Sequence, residues 1–330
     1  MRAPPRAAGS GGHAPSQPTR ASRAAALAGD VSFGSVRPPC AQQAAIMTTE
    51  ISEEQRDLLL QNLVIPPRPS ILDELEALRA DPESTLQQVS DLIASDPALS
   101  IAMLKAANSP VVGQGRKIRS VTQAINLLGI NNVASLISGL VLRTRLTQDA
   151  PLAIEQFWEQ AVQMAMITRT LSEQIGQVPD ETQSYALFHG CGIAIMLMRY
   201  PGYPRTLQLM EMATDDKVCK VEQQLHGTHH AVVGYLVARV WNMPEHFARA
   251  ILLQYEPQAL SAGPDALLDY DGRMMVAVTR AALHVWRTAT PGREDPGWAE
   301  RRSAVLNYLG MDDVEFEDWC DHMHQHMGGA

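Results

Sequence analysis

Apolar side chains recur three and four positions apart almost throughout the chain from about residue 51, which is the spacing of one face of a helix. Alternation with a period of two, rich in β-branched residues, is missing from the same stretch. The pattern therefore predicts an all-α fold of about a dozen helices. The longest apolar face runs from Leu152 to Leu171 and predicts one buried helix of about five turns.

Three serines predict helix starts, because each precedes by three residues a side chain that could complete a capping box. They are Ser70, Ser84 and Ser120, followed by Asp73, Gln87 and Gln123. A fourth start is Asp96-Pro97, with Asp96 as the N-cap and Pro97 at the first helical position, where its missing N–H costs nothing. That helix is expected to end at Ala107, and Gly129 is expected to end the helix that Ser120 begins.

The first 46 residues have a different composition: 28 of them are Ala, Pro, Gly or Ser, and five arginines face a single acid. Such a segment cannot bury enough apolar surface to offset the entropy of ordering it, so we predict disorder over residues 1–46. An organellar transit peptide is one alternative, although the repeated prolines disfavour an amphipathic helix. The other alternative is a natural start at Met47, with a leader that is not native.

The charge balance limits the kinds of partner. The leader carries +4 of a total net charge of −9, which leaves −13 for residues 47–330 and disfavours a broad nucleic-acid-binding face. No apolar stretch approaches the ~20 residues that a helix needs to cross a bilayer, so we expect no membrane association. The four cysteines show no CxxC pairing, which favours a reducing, cytoplasmic location.

Short motifs follow one another in order between about residues 60 and 285. They are Ile65-Pro-Pro-Arg-Pro69, Asp96-Pro-Ala-Leu99, Ala107-Asn-Ser109, the Gly129 helix end, Phe157-Trp158, Glu222 ahead of Gly227-Thr-His-His-Ala231, and Trp241-Asn-Met-Pro244. Together they closely resemble the HDOD domain of bacterial signalling proteins. The resemblance is carried by Asp96, Pro97, Asn108, Ser109, Gly129, Trp158, Glu222, Gly227, His230, Gly234, Trp241 and Pro244.

The resemblance implies an architecture of two helical halves. An N-terminal helical bundle, residues 51–146, would pack on an HD-like helical domain, residues 147–290. A C-terminal helical extension with a histidine-rich tail, residues 291–330, would follow. HDOD domains are similar to the HD phosphohydrolases, in which histidine and aspartate side chains hold a divalent metal.

Carried over one by one, the HD metal-ligand positions fall at Gln160, His189, Gly190 and Arg280, and only His189 remains a metal-ligand type. A hydrolytic metal site needs several anionic or imidazole ligands to hold the ion and acidify its water. The resemblance therefore implies a degenerate site, and we expect no catalytic residue, no metal ligand and no cofactor. Gln254-Tyr255 also stands where several HDOD relatives have a histidine pair.

Other histidines offer alternative metal sites. His226, His229 and His230, together with His189, could supply four imidazoles to zinc or nickel. Gly227 is expected to interrupt the helix among them, so we favour structural roles: His230 packs or hydrogen-bonds under the long helix, and His226 and His229 lie at a helix start.

The tail Cys320-Asp-His-Met-His-Gln-His326 contains a second group. His322 and His326 share a helix face at i,i+4, a spacing that can bind a transition metal, while His324 points elsewhere. We interpret this tail as solvated.

Cys191 could be interpreted as a nucleophile beside His189. However, residues two apart on a helix face away from each other, so we interpret Cys191 as a small residue that permits close helix packing.

These observations predict a non-catalytic signalling scaffold that acts through a protein partner. One alternative is a metal-dependent phosphohydrolase with rearranged ligands, acting on a nucleotide or phosphoester. Another is a module that senses a small nucleotide in the cleft near His189, His230 and Arg280. The connection 108–117, rich in turn formers, is either a contact element or a plain connector.

Overall fold

The computed structural model describes residue 63 and residues 65–108, 117–130, 133, 136–141, 152–289 and 293–328. All regular elements in these ranges are helices, which confirms the all-α class. The helices are α1 Ser70–Ala80, α2 Leu86–Ala94, α3 Pro97–Ala107, α4 Val121–Leu128, α5 Leu152–Ile175, α6 Thr182–Phe188, α7 Cys191–Arg199, α8 Tyr203–Glu211, α9 Asp215–His226, α10 His230–Val240, α11 Glu245–Leu253, α12 Tyr270–Thr288, α13 Trp298–Leu309 and α14 Asp313–Gly328.

Several sequence predictions lie outside the described residues. These are the leader 1–46, the start at Met47, the signature residue Ser109 and most of the proposed contact loop. The boundaries at residues 146 and 290 stay predictions, and all described residues fall within one compact unit. Within the described ranges, no helix is both long and apolar enough to span a bilayer.

Two of the four predicted helix starts are confirmed. Asp96 caps α3 by accepting from the backbone N–H groups of Ala98 and Leu99, at 2.9 and 3.1 Å. Ser120 caps α4, which Gly129 ends at a φ of +81°. The long helix α5 also begins at Leu152 as the apolar face predicts.

The other two starts are displaced by one residue. Ser70 is the first residue of α1 rather than its cap, which is Pro69, and no side chain caps that end. In α2 the N-cap is Thr85 instead of Ser84, and Gln88 completes a reciprocal capping box. The prediction for α2 was wrong because Thr85-Leu-Gln-Gln88 offers the same pattern one residue later.

The first four helices enclose an apolar core in which α4 packs on α2 and α3. Asn108 joins the ends of the connection that follows α3: its side-chain oxygen accepts from the Ile118 N–H, and its amide donates to the Ile118 carbonyl, each at 2.8 Å. This signature asparagine therefore has a structural role.

In the second half, α5 packs on α6 and α12, and α7 crosses α10 closely. The crossing depends on glycine, since a Cβ on Gly192 would collide with the backbone carbonyl of His230. Gly234 faces it on α10, and a Cβ there would lie 2.9 Å from the Ile251 side chain and 3.5 Å from the Gly192 nitrogen. The predicted role of the small residues at the start of α7 is therefore confirmed.

The two halves are joined by the segment that precedes α1. The indole N–H of Trp241, at the end of α10, donates to the Pro66 carbonyl at 2.8 Å. Arg68 donates back to the Trp241 carbonyl at 2.5 Å and also pairs with Asp73 and Glu76 on α1. Two motifs far apart in sequence, the Ile-Pro-Pro-Arg segment and the Trp-x-x-Pro block, thus form one contact.

Candidate functional site

The positions that correspond to HD metal ligands lie on three different parts of the fold. Gln160 is half-buried on α5, His189 and Gly190 link α6 to α7, and Arg280 is buried on α12. Hydrogen bonds and one ion pair connect His189 with Arg280 through Gln254, Arg301 and Asp215, and among the described residues none of these contacts involves Gln160.

His189 is the C-cap of α6, and its ring is held by the backbone. Nδ1 donates to the Ala186 carbonyl at 2.7 Å, and the His189 carbonyl accepts from the Gln254 amide at 3.1 Å. Burial lowers the pKa of His189 from 6.5 to about 4, despite the opposing hydrogen bond to Ala186. The imidazole is therefore neutral at physiological pH.

Gly190 supplies no carboxylate, and the space beside it is already filled. A Cβ at this position would lie 3.1 Å from the ring of Phe157 on α5. The ring of Phe157 therefore occupies the space beside residue 190 that a larger side chain would need. An aspartate here would need Phe157 to move.

A buried pair of hydrogen-bonded side chains joins α9 to α10 across the turn at Gly227. Glu222 Oε2 accepts from Nδ1 of His230 at 2.6 Å, and Oε1 accepts from the His230 backbone N–H at 3.0 Å. Both side chains are fully buried. Gly227 allows this geometry by taking a φ of +73°, in the left-handed region that favours glycine. The predicted helix break at Gly227 is confirmed.

Two tyrosines complete this pair. The Tyr203 hydroxyl donates to Glu222 Oε1, and the Tyr255 hydroxyl lies 3.2 Å from Nε2 of His230. Burial alone would raise the pKa of Glu222, but the His230 ring and the hydrogen bonds to the carboxylate hold it below its usual value. Glu222 is thus an ionised carboxylate inside the protein, with both oxygens engaged.

Arg280 is held by carboxylates from two other segments. It donates to Asp215 at the start of α9 at 2.8 Å, and to both oxygens of Asp295 at 2.8 and 3.0 Å. Asp295 also accepts from Arg287 at 2.8 Å and from His284 at 3.1 Å. Burial would raise the pKa of Asp295, but the His284 hydrogen bond and the two guanidinium groups hold it well below its usual range.

Arg301 on α13 connects these groups. It lies 3.6 Å from Asp215 and donates to the Gln254 carbonyl at 3.2 Å, while the Gln254 amide reaches His189. A continuous polar network therefore runs from Arg280 to His189. The linked side chains of Glu222, His230 and Tyr255 adjoin this network, since Tyr255 follows Gln254 in sequence. We call the two groups together the polar core: Asp215, Glu222, His230, Gln254, Tyr255, Arg280, Asp295 and Arg301, with Tyr203, His189, His284 and Arg287 at its edges.

Most of the polar core was absent from the sequence predictions. Asp215, Asp295 and Arg301 are ordinary acids and arginines in sequence, and their partners lie eight or more positions away, so no local pattern marks them. The substitution of Arg280 for a metal ligand was a signal, because a buried cation requires buried acids.

The residues of the polar core do not fit a metal ion. Both ring nitrogens of His230 have partners, and neither Gln160 nor Gly190 can supply an anionic ligand. Within the described ranges, no three His, Cys, Asp or Glu side chains are grouped so as to hold a metal.

The alternative site of four imidazoles is also not assembled. His226 lies at the end of α9, instead of a helix start, with Nε2 2.9 Å from the Thr206 hydroxyl. His229 is the N-cap of α10, as expected of a residue at a helix start. Burial lowers its pKa to about 4.

Cys191 does not form a nucleophilic pair with His189. The two residues are not on one helix, because α6 ends before His189 and α7 begins at Cys191. Sγ is fully buried, 4.0 Å from the Gly234 carbonyl, and burial raises the pKa of the thiol to about 12. A thiolate is therefore strongly disfavoured at neutral pH.

The C-terminal histidines face the directions that their spacing predicts, but the prediction of a solvated tail was wrong in part, because Cys320 and Met323 pack into the apolar core. The rings of His322 and His326 are exposed on one face of α14, with centroids 4.2 Å apart. His324 points the other way, and its Nε2 lies 3.0 Å from the Val285 carbonyl and 3.2 Å from the Thr288 hydroxyl on α12.

The fold and its signature residues can now be compared with known proteins. A family model described as the HDOD domain matches residues 65–257, more than half of the chain. This chain belongs to the HDOD family. A curated relative, an uncharacterised protein of Treponema pallidum (strain Nichols), is 25% identical over 185 residues, which are 55% of this chain and 36% of that protein. The chain therefore spans about a third of that relative's length.

Solved structures share the HDOD fold. An HDOD domain protein of unknown function from Geobacter sulfurreducens has a TM-score of 0.61 and 21% identity, over 83% of this chain and 93% of that one. A protein from Marinobacter aquaeolei VT8, provisionally assigned to signal transduction, has a TM-score of 0.62 and 22% identity, over 85% and 60%. A protein from Shewanella amazonensis SB2B, provisionally named a phosphohydrolase, has a TM-score of 0.56 and 21% identity, over 83% and 94%.

The HDOD signature residues divide into two groups in this chain. Most of those that the structure describes shape turns, helix ends and apolar contacts: Asp96, Pro97, Asn108, Gly129, Trp158, Gly227, Gly234, Trp241 and Pro244. Glu222 and His230 instead belong to the polar core. In this chain these residues therefore have mainly structural contacts, and Glu222 and His230 form one buried hydrogen-bonded pair.

Proposed function

We propose that this HDOD protein is a non-catalytic regulatory scaffold that acts by binding a protein partner in a signalling pathway. The observation that carries the proposal is the closed bonding of the polar core. Glu222 uses both oxygens, His230 both ring nitrogens, and Asp295 both oxygens, all on neighbouring side chains. Groups committed in this way stabilise a rigid fold and are not available to bind substrate.

The electrostatics of the HD-like positions favour the same proposal. A hydrolytic centre concentrates ligands for a cation. At one of these positions the chain carries Arg280, a permanent cation whose pKa is raised further by Asp215 and Asp295 in spite of burial. At another it carries Gly190, packed against Phe157. At residue 280 a metal would meet a guanidinium group instead of an anionic ligand, and at residue 190 it would find no side-chain ligand.

Exposed apolar side chains supply a candidate contact surface. Leu209 on α8 and Met212, the residue that ends α8, are three positions apart and therefore on one side of the helix. They are 47% and 79% exposed. Methionine adapts its shape to different partners, which suits a recognition surface.

The first experiment tests the absence of hydrolytic chemistry. Full-length protein without a His tag is assayed for iron, manganese and zinc, and for hydrolysis of bis(p-nitrophenyl) phosphate with each metal added. We expect no stoichiometric metal and no hydrolysis above the buffer blank, with His189→Ala identical to wild type. Stoichiometric metal lost together with activity in His189→Ala would overturn the scaffold proposal.

The second experiment tests partner binding. Wild type, Met212→Asp and Val314→Asp are used to capture proteins from the source organism. Val314 on α14 is 68% exposed and serves as the matched control. We expect Met212→Asp to lose a specific partner that Val314→Asp and His189→Ala retain. Equal capture by all the variants would remove α8 as the contact surface.

A further inference from the structure

A cleft of about 590 Å³ lies on the protein away from the polar core. One wall is the beginning of α11, with Glu245, His246 and Arg249. The other walls are Ala266–Asp269, which lie in the connection between α11 and α12, and Arg273 in the first turn of α12. The volume falls within the ~300–1,000 Å³ typical of small-molecule sites. None of the residues that line the cleft belongs to the polar core.

Two arginines that line this cleft are each held by a backbone carbonyl. Arg249 donates to the Leu267 carbonyl at 2.9 Å, and Arg273 donates to the next carbonyl, that of Leu268, at 2.8 Å. The two guanidinium groups come from different helices but are anchored to consecutive residues of one segment. Each is held by the backbone, so little side-chain entropy remains to be lost when a ligand binds.

Neither arginine of the cleft forms an ion pair with the two carboxylates that also line it, Glu245 and Asp269. Asp269 accepts from the Gly272 N–H at 2.8 Å as the N-cap of α12, and Glu245 pairs with Arg239, which is not a lining residue. Among the described residues, no carboxylate lies within ion-pair distance of Arg249 or Arg273.

A third polar group in the cleft also lacks a partner. Nε2 of His246 is buried and forms no hydrogen bond. A buried polar atom of this kind in a native fold calls for an explanation, because leaving it unpaired costs free energy. His246 also lines the cleft, between Glu245 and Arg249 in sequence.

We propose that this cleft binds the phosphate group of a small phosphorylated molecule. A phosphate dianion carries the charge that two unpaired guanidinium groups select, and its oxygens match their planar N–H pairs. Ala266, Leu267 and Leu268 offer an apolar wall for the rest of the ligand. The proposal does not depend on the scaffold function, since it uses different residues and a different readout.

Binding is measured by isothermal titration calorimetry on the full chain at low ionic strength, with AMP, inorganic phosphate and adenosine as probes. We expect AMP to bind, phosphate to bind more weakly because it fills less of the cleft, and adenosine not to bind. Failure of both AMP and phosphate to bind would overturn the proposal. So would adenosine binding as tightly as AMP, because the phosphate would then not be the recognised group.

Variants locate the site. Arg249→Gln and Arg273→Gln should each weaken AMP binding by roughly tenfold or more, as expected for loss of a charge-assisted hydrogen bond. Arg302→Gln is the charge-matched control, because Arg302 pairs with Asp313 and Glu317 elsewhere on the surface. Wild-type affinity in both cleft variants would overturn the proposal.

A second pair leaves the arginines intact, in case their removal disturbs the fold. Ala266 is partly exposed, so its replacement should be tolerated. Ala266→Glu places an anion in the cleft and should abolish AMP binding, while Ala266→Gln, of nearly the same size, should retain it. Equal affinity in these two variants, with unchanged circular dichroism, would show that the anion binds elsewhere.

Discussion

Helices α1–α4 and helices α9–α13 are stabilised by different kinds of contact. The buried side chains of the first group are almost all aliphatic, and the exception, Ser90, pairs with Thr122 through neutral hydroxyls at 2.8 Å. The second group buries charged side chains of both signs in the polar core. Apolar packing has no direction and tolerates change of shape, whereas a buried charge requires a particular partner.

This difference explains how each half can fail. Loss of a methyl group in α1–α4 leaves a cavity whose cost depends on how well its neighbours relax. Loss of one charge in the polar core leaves its partners ionised in a medium of low polarity. The charged contacts of the polar core therefore specify one arrangement, and loss of any one charge should lower the free energy of unfolding strongly.

The largest expected effect is in the polar core, with Asp295→Asn. The substitution keeps the size of the side chain but removes the charge that faces Arg280 and Arg287. We expect the free energy of unfolding to fall by about 3–5 kcal/mol, as for other broken buried ion pairs. Urea denaturation followed by tryptophan fluorescence measures it.

The matched control is Asp313→Asn, whose carboxylate is 70% exposed and pairs with Arg302. That substitution should change the free energy of unfolding by less than about 1 kcal/mol. Similar small losses for both variants would mean that the polar core contributes no more than a surface pair, and the contrast between the two regions would fail.

The next effect is in the apolar region, where two faces of α3 can be compared. Met103 is fully buried and Ile101 is 68% exposed on the same helix. Met103→Ala should lower the free energy of unfolding by about 2–5 kcal/mol, since it creates a cavity in the core. Ile101→Ala should stay within about 0.5 kcal/mol of wild type. Equal effects in the same denaturation experiment would contradict the packing of α3.

The apolar region and the polar core also differ in how much of each could be predicted from the sequence. Periodicity and caps are local, so the bounds of α3, the start at Ser120 and the break at Gly227 follow from a few neighbouring residues. The fold class and the family follow from such signals taken in order. The bonds of Arg280 to Asp215 and Asp295 are not local, because chain folding alone brings these side chains together.

The candidate site was therefore predicted by what it lacks rather than by what it contains. Sequence comparison showed that Gly190 and Arg280 are poor metal ligands. It could not show that Phe157 packs beside residue 190, or that Gln254 and Arg301 connect His189 with Asp215. No sequence motif marks the cleft that contains Arg249 and Arg273, since both are ordinary helix residues in sequence.

A third effect concerns the response of the folded protein to acid. Burial lowers the pKa of both His189 and His229 from 6.5 to about 4. Between these values the unfolded chain binds protons that the folded chain does not, so stability is lost as the pH falls from 6.5 to 4. Each histidine should contribute a slope of roughly 1.4 kcal/mol per pH unit within that window.

Denaturation of His189→Gln across pH 4 to 8 tests this assignment. Glutamine does not titrate, so the slope should fall to about half of the wild-type value, which leaves the part due to His229. His322→Gln, at an exposed position on α14, is the control and should keep the wild-type slope. An unchanged slope in His189→Gln would show that this ring does not account for the acid sensitivity.

The smallest effect returns to the apolar region and separates two adjacent residues. Thr85 accepts from the Gln88 N–H at 3.3 Å and its own N–H donates to the Gln88 side chain at 2.7 Å, whereas the Ser84 side chain takes no part in the capping box. Thr85→Ala should lower the free energy of unfolding by about 1 kcal/mol, and Ser84→Ala should leave it nearly unchanged. If Ser84→Ala has the larger effect, α2 begins one residue earlier, as the Ser84-Thr-Leu-Gln87 pattern predicts. Because a cap acts on a few backbone groups, this pair of variants isolates a local signal from the tertiary contacts that dominate the polar core.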